Sequence, residues 1–461
     1  THVISHYNPP PTLVIFLTTL GSSLPVGYNI GVVNTPAEVI KRFCNESFVT
    51  RYDVVLDEKW LNVLWSSVVS IFIVGGCTGS ILGDILIIEY IIPSSFLPYM
   101  GTCLTTSIVP MYLTEMAPSK LTGSMGVACP MGVNVGVLVG QVMGLDFILG
   151  RDQDWPYLLS VYALLVIICL PLLFILPESP NPWQPPLDTT LGVHDSLLKS
   201  FSELSRLRGL SPSLLTEDVE LLREEVRCSE AATLSGEQAW SMIRVMQDKR
   251  LRLPLLLTCS MQAGQQTSGI NAVFYYSHTI FKQAGLTEKN SQYATIGCGF
   301  INVCTAVLML QLMPKHGRRP LLLTSIFSAT VILAALAACM RFMVSTLSWM
   351  PYVCMMAVLS YVLVYGFGLG PIPYFIASEI FEVGPRPAGM AWGSLANWGG
   401  NFLVGMSFPS MLVFLGSGFR LYEICPLSFM EISKSCVTLI IICLTVLFVR
   451  FWVRSPGLAK C

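Results

Sequence analysis

Charged side chains are what this 461-residue sequence has least of: Asp, Glu, Lys and Arg make up 12% of it, against about 25% in a soluble globular chain. That scarcity excludes an ordinary cytosolic enzyme. Neither sign predominates, with 27 basic against 28 acidic residues, so no basic field exists to attract a nucleic acid. The 15 cysteines, odd in number and mostly in apolar stretches as at Cys169, Cys298 and Cys443, show neither a disulfide framework nor zinc-ligand spacing. His194-Asp195 has no accompanying nucleophile, metal or phosphate-binding constellation, so no catalytic residue, metal or cofactor is expected. What is abundant is hydrophobic: 53% of the residues, with a mean hydropathy of +0.63. Lipid is therefore the expected solvent for most of the surface.

A helix needs about 20 mostly apolar residues to cross a bilayer, because its backbone polar groups must all be satisfied internally. Windows free of acidic and basic residues run over 10–37, 61–83, 90–114, 121–145, 155–177, 253–281, 291–314, 320–340, 342–378, 387–419 and 435–449, which makes eleven candidate spans of an all-α polytopic membrane protein. The first window is too long and too rich in Gly, Pro and Asn for a cleaved signal peptide and reads as a retained span.

Between the fifth and sixth windows, residues 178–252 hold 21 of the 55 charged residues. This segment reads as an aqueous linker with short amphipathic helices, one over 217–227, between an N-terminal bundle (1–177) and a C-terminal bundle (253–461). The cationic turn His316-Gly317-Arg318-Arg319 belongs on the cytoplasmic side. Asn45-Glu46-Ser47 is a glycosylation sequon that fits a loop on the opposite side. The two halves also echo one another. Pro110 to Glu115, followed by Pro118 and Gly123, has a counterpart in Pro373 to Glu379, followed by Pro385 and Gly389, which suggests a duplicated bundle with its site near the midplane.

Neutral hydrogen-bonding groups are concentrated inside the spans. Gln262, Gln265, Gln266, Ser268 and Asn271 share one window; Gln141 and Asn302 lie in others; Asn397 and Asn401, spaced i, i+4, flank Trp398. A sugar presents hydroxyls that both donate and accept around an apolar ring face, and side-chain amides with an aromatic plane match that chemistry. Interhelical bonding is the competing role for any one of these amides. Gly366-Phe367-Gly368-Leu369-Gly370-Pro371-Ile372-Pro373 cannot remain a regular helix and is read as a gate or a static kink.

The run Gln265-Gln266-Thr267-Ser268-Gly269-Ile270-Asn271-Ala272-Val273-Phe274-Tyr275-Tyr276-Ser277 is similar to the seventh-helix signature of the facilitative hexose (glucose and fructose) transporters of the major facilitator superfamily. Gly370-Pro371-Ile372-Pro373, Glu379-Ile380-Phe381 with Gly384-Pro385-Arg386-Pro387, Asn397-Trp398, Gly317-Arg318-Arg319, Pro177-Glu178-Ser179-Pro180 and Pro110-Met111-Tyr112-Leu113 resemble further signatures, in family order. The resemblance implies two six-helix bundles rocking around a central site in the plasma membrane, carrying a small neutral sugar without any bond change. It implies that Gln141, Gln265, Gln266, Asn271, Asn302 and Asn397 bond sugar hydroxyls, with Asn401 close by and Tyr374 where glucose carriers have a capping Trp. It also implies that Glu115, Glu379, Arg318, Arg319 and Arg386 form cytoplasmic gating ion pairs.

The departures narrow this reading. Gln262-Ala263-Gly264 looks more like the branch of fructose and urate carriers, whereas Gly370-Pro371-Ile372-Pro373 resembles glucose carriers. Gly27-Tyr28-Asn29 has Asn where proton-coupled sugar symporters carry a titratable Asp, which favours uniport over symport. After Gly83-Asp84 the chain runs directly into Ile85-Leu86-Ile87-Ile88, and about one crossing, the family's third helix, is missing against the expected twelve. Pro314, Thr122 and Gly366 stand where the family has charged groups, and the ending after Val453 is atypical. An incomplete product, a degenerate carrier or a transport-deficient sugar sensor are the alternatives these losses leave open.

Overall fold

The computed structural model describes residues 19–57, 60–77, 109–117, 122–173, 240–342 and 349–421, a few single positions within them excepted, together with the isolated Ser205 and Glu220. A π-turn at Thr19–Ser23 leads into α1 (Leu24–Val32), followed by α2 (Ala37–Tyr52). Helical runs over 60–70 and 109–114 precede α3 (Thr122–Met143) and α4 (Trp155–Leu173). The C-terminal group comprises α5 (Met242–Gln247), α6 (Arg252–Thr267), α7 (Ile270–Gln283), α8 (Glu288–Leu312), α9 (Arg318–Phe342), α10 (Met350–Gly366), α11 (Ile372–Ile380) and α12 (Arg386–Leu421). There is no strand among the described residues.

Three of these helices, over Gly123–Met143, Glu288–Leu312 and Arg318–Leu336, are long and apolar enough to cross a membrane among the described residues. Large apolar side chains point outward, including Ile167 on α4, Phe300 on α8, Phe327 on α9 and Leu403 on α12. That is the pattern of a bundle solvated by hydrocarbon rather than water.

Small residues set the closest helix contact. A Cβ placed on Gly27 or Gly31 of α1 would fall on the carbonyl oxygens of Val133 and Val137, and one on Gly136 or Gly140 of α3 would collide with the backbone at Leu24 and Tyr28. Two glycine pairs, each spaced by four, therefore face each other and let the backbones touch. Between α6 and α12 glycines instead make room for side chains, Gly393 for the Thr258 methyl and Gly400 for the Gln266 Cβ.

Two windows that read as single spans are broken. The window 253–281 splits between α6 and α7 at Ser268-Gly269, where Gly269 takes φ +89°, a left-handed conformation that only glycine adopts without strain. The Tyr361 hydroxyl of α10 donates to the freed Ser268 carbonyl at 2.9 Å, so the break is bonded within the bundle. The second break, over 367–371, falls where glycines and prolines led it to be expected. Its backbone is held from α9, with Ser325 Oγ donating to the Val364 carbonyl at 2.7 Å and accepting from the Leu369 N–H at 3.0 Å.

Asn45 is helical rather than in a loop. It sits inside α2, whose helix runs on to a left-handed cap at Asp53, and its Oδ1 accepts from the Leu56 N–H at 3.0 Å. The sequence reading missed this helix because its charged residues resemble those of a polar connector. The end of the charged linker forms α5, capped by Ser241, whose Val245 packs among Ala377, Phe381, Ala388 and Met390. The amphipathic stretch 217–227, Glu220 apart, and the seam at 83–89, where a crossing is expected to be missing, lie outside the described residues.

The glycine contact is testable. Gly136→Val should abolish a monodisperse, membrane-inserted protein on size-exclusion chromatography, because the α1 backbone leaves its side chain no room. Gly399→Ala, with no atom within 4 Å of its Cβ, should leave the melting midpoint unchanged or raise stability by up to about 1 kcal/mol.

Candidate functional site

The breaks at 268–269 and 367–371 lie against one another, and the amides of α6 hold them together. Gln265 Nε2 donates to the carbonyls of Leu369 (3.2 Å) and Gly370 (2.6 Å), and Gln262 Nε2 donates to that of Pro373 (2.8 Å). The Leu369 and Gly370 carbonyls lie in the glycine–proline break, where Pro373 has no N–H to offer Leu369, so Gln265 supplies a donor the backbone lacks, while Gln262 adds a bond to a carbonyl in the first turn of α11. From α12, Asn397 Nδ2 donates to Gln262 Oε1 (2.7 Å) and Gln265 Oε1 (2.6 Å), while its Oδ1 accepts from Gln266 Nε2 (3.0 Å). Gln266 Oε1 in turn accepts from Asn271 Nδ2 at the start of α7. Asn401, one turn beyond Asn397, is bonded to the Tyr275 hydroxyl at 3.2–3.3 Å.

This network faces a cavity, open at one end, that encloses about 730 Å³ of non-atom space with the open end included. Gln266, Asn271, Asn302, Asn397 and Asn401 supply polar groups, and Phe274, Tyr365, Tyr374 and Trp398 supply aromatic planes. The opposite wall comes from α1 and α3 and is largely aliphatic: Val26, Ile30, Val127, Val133 and Val137, with Pro130 and Asn134. No charged side chain lines it among the described residues. Tyr374 and Trp398, with Asn397, also border a smaller space of about 300 Å³, its open end included, lined by Gln262, Ala377, Met390 and Ser394. They therefore form the partition between the cavity and the end of the bundle where α11 and α12 meet α5.

Seven of the nine expected substrate-binding residues thus share one wall: Gln266, Asn271, Asn302, Tyr374, Asn397, Trp398 and Asn401. Gln265 does not line it, being fully buried behind the wall with its amide committed to backbone and Asn397. Gln141 does not line it either. It lies seven residues past Asn134, about 10 Å further along α3, packed against Gly299 of α8, and both its carboxamide atoms are buried without a partner among the described residues. Asn134, which the sequence reading passed over, does line the cavity. Its i, i+7 relation to Gln141 was the available signal, but periodicity could not say which of the two stands level with the broken helices.

The expected gating charges divide. Arg318 at the start of α9 pairs with Glu379 of α11, Nη2 to Oε1 at 2.7 Å, with both side chains mostly buried (18% and 13% exposed). This pair joins two helices of the C-terminal group and meets the N-terminal group at Gly123, whose Cβ would come within 3.1 Å of Arg318 Nη2. Arg386 Nε is buried without a hydrogen-bond partner among the described residues. Arg319 lies beside the pair at the start of α9. Glu115 lies outside the described residues.

A cavity lined by neutral amides, between an N-terminal and a C-terminal group of helices and at the junction of two broken helices, fits a polytopic membrane transporter of the major facilitator fold. The sequence matches the family described as "Sugar (and other) transporter" over residues 14–96 and 88–453, and the chain belongs to that family. It is 36% identical over 447 residues to the rat "Solute carrier family 2, facilitated glucose transporter member 3", covering 88% of this chain and 86% of that one. It is 34% identical over 429 residues to the chicken "facilitated glucose transporter member 1", covering 86% and 84%. Among solved structures, it superimposes on "the MFS (major facilitator superfamily) proton:xylose symporter XylE bound to 6-bromo-6-deoxy-D-glucose" with a TM-score of 0.73, at 19% identity and 96% coverage of each chain. An inward-open conformation of XylE from E. coli gives 0.60 at 19% identity, with 95% of this chain and 96% of that one covered.

Two measurements probe the site as a structure. Asn397→Ala orphans groups on Gln262, Gln265 and Gln266 and should cost about 1–3 kcal/mol, read as a lower melting midpoint in detergent; Asn401→Ala, which frees only Tyr275, should cost less. A double-mutant cycle on Arg318→Ala and Glu379→Ala should give a coupling of about 1–3 kcal/mol.

Proposed function

We propose that this chain carries a hexose, glucose or fructose, across the plasma membrane by facilitated alternating access, with Gln266, Asn271, Asn302, Asn397 and Asn401 bonding the sugar and Tyr374 and Trp398 covering its ring. The observation that carries this reading is the wall of uncharged amides and aromatic planes. Each amide both donates and accepts, which is what replaces the water around a polyol, and no fixed charge lines the cavity among the described residues to select an ion. That the relatives are facilitated glucose transporters supports glucose as the first substrate to test. The fructose- and urate-like Gln262-Ala263-Gly264 keeps fructose beside it, because Gln262 shapes the Asn397 amide through its 2.7 Å bond. Asn29 in place of a titratable acid supports uniport.

In the same reading, residues 1–177 and 253–461 are the two rocking bundles, joined through a cytoplasmic linker over 178–252. The Arg318–Glu379 pair is a gating contact at the cytoplasmic end, with Arg319, Arg386 and Glu115 as companions in other states of the cycle. Asn45 is a glycosylation acceptor on the outer face.

One observation favours a second reading, a chain that binds sugar without moving it. The family match falls in two stretches, 14–96 and 88–453, which overlap over 88–96, a few residues past Gly83-Asp84, where a crossing reads as absent. A carrier short of one crossing would keep its amide site and lose the rocking.

Uptake of radiolabelled glucose and fructose into proteoliposomes separates the two. Carrier function predicts counterflow that is independent of an imposed pH gradient and reduced about tenfold or more by Gln266→Ala and by Asn271→Ala. Binding by isothermal titration without counterflow supports the second reading. Uptake unchanged by both substitutions removes the amide wall from the mechanism.

A further inference from the structure

The two sides of the cavity are unequal in a way that singles out one residue. On the C-terminal side, Asn397 and Gln266 are engaged with one another and Asn401 with Tyr275, so the polar wall is largely built before any substrate arrives. The described residues lining the other side are aliphatic except for Asn134 of α3. Its Nδ2 reaches the Asn302 carbonyl of α8 at 3.5 Å, well beyond the usual 2.9–3.0 Å of an N–H···O bond, and its Oδ1 accepts no hydrogen bond among the described residues. Directly across, Asn302 is 2% exposed and its Nδ2 has no partner among the described residues. A stretched bond and an unmet buried donor thus lie together, on helices of opposite groups.

We infer that Asn134 is the group through which the N-terminal helices grip the substrate: a hydroxyl inserted between Asn134 and Asn302 accepts from one amide and donates to the other, tying α3 to α8. This rests on the sugar-carrying reading above and adds a specificity-determining residue to it. Valine at 134 would make the α3 face uniformly apolar, and the substrate would then be held by polar groups from one side alone. Because the existing Asn134–Asn302 contact is long, little is lost when a hydroxyl replaces it. The prediction is therefore selective: one hydroxyl of the hexose, and no other, reports on Asn134.

The test compares KM for counterflow of glucose and of a series of monodeoxyglucoses in proteoliposomes of the full chain, for wild type, Asn134→Val and its near-isostere Asn134→Thr. We expect Asn134→Val to raise KM about three- to tenfold, the worth of one neutral hydrogen bond, with maximal rate held within about twofold and partial recovery in Asn134→Thr. One deoxy sugar should bind wild type weakly and be insensitive to Asn134→Val. A KM unchanged by the substitution, or raised equally for every sugar in the series, overturns the inference. Should Asn134→Val fail to reach the membrane, the wild-type and Asn134→Thr series decide on the same criterion. Absence of hexose exchange in wild type itself strikes the transport reading instead, so the two failures are distinguishable.

Discussion

Asn397 accepts one hydrogen bond and donates two, and all three partners are glutamines of α6. Gln265 also holds the Leu369 and Gly370 carbonyls where the chain breaks before α11, and Gln262 holds the Pro373 carbonyl in the first turn of α11. In hydrocarbon no water is available to bond a freed carbonyl, so a broken helix persists only where side chains supply the missing donors. The kink and the polar wall are therefore one structure: without the glutamines the turn over 367–371 would bury bare acceptors, and without the turn the glutamines would be buried with too few partners. The same residue type serves support and recognition, divided by position. Gln262 and Gln265 face the broken backbone, while Gln266, at the end of α6, faces the cavity.

Stiffness and compliance are distributed accordingly. The glycine contacts between α1 and α3 bring backbones together with no side chain between them, and at two points between α6 and α12 a glycine makes room for a side chain of α6. Packed backbones move as a unit, because separating them opens a void with no atom to fill it. The interruptions at 268–269 and 367–371 flank short helices, of fourteen residues in α7 and nine in α11. These can change angle while their neighbours stay packed. Tyr374 and Trp398, on α11 and α12, stand where such a movement would open or seal the partition between the cavity and the smaller void.

Much of this was legible in the sequence because a bilayer imposes coarse rules. Low charge and window length marked the three described helices long enough to cross a membrane; Gly and Pro marked the break at 367–371; the crowding of amides marked the residues that line the candidate site. The break at Gly269 was not legible as a break, since a single glycine in an apolar window is compatible with a continuous helix and only its φ and the Tyr361 bond to Ser268 distinguish the two. Gln141 and Gln265 show the other limit. An amide in a span signals a need for partners without saying whether they are ligand, backbone or neighbouring side chain, and Gln265 found backbone. Asn134 was masked by the valines around it, whose volume and polarity identify an ordinary packed face. The pairing of Arg318 with Glu379 while Arg386 Nε lacks a partner likewise depends on helix ends that no spacing rule aligns.

The asymmetry of the cavity bears on how closure can be coupled to occupancy. A ligand shifts a conformational equilibrium only by as much as its interactions differ between the two states. Contacts confined to the C-terminal helices would be equal whether the N-terminal helices were near or far, and would lend the movement nothing. The aliphatic face of α1 and α3 can supply dispersion and exclude water, both of which vary smoothly with distance. A hydrogen bond fails within a few tenths of an ångström of its optimum, so a single amide on that otherwise apolar face makes closure sensitive to one hydroxyl. Placing most polar groups on one side and one on the other lets tight recognition and a small driving force for movement be set by different residues.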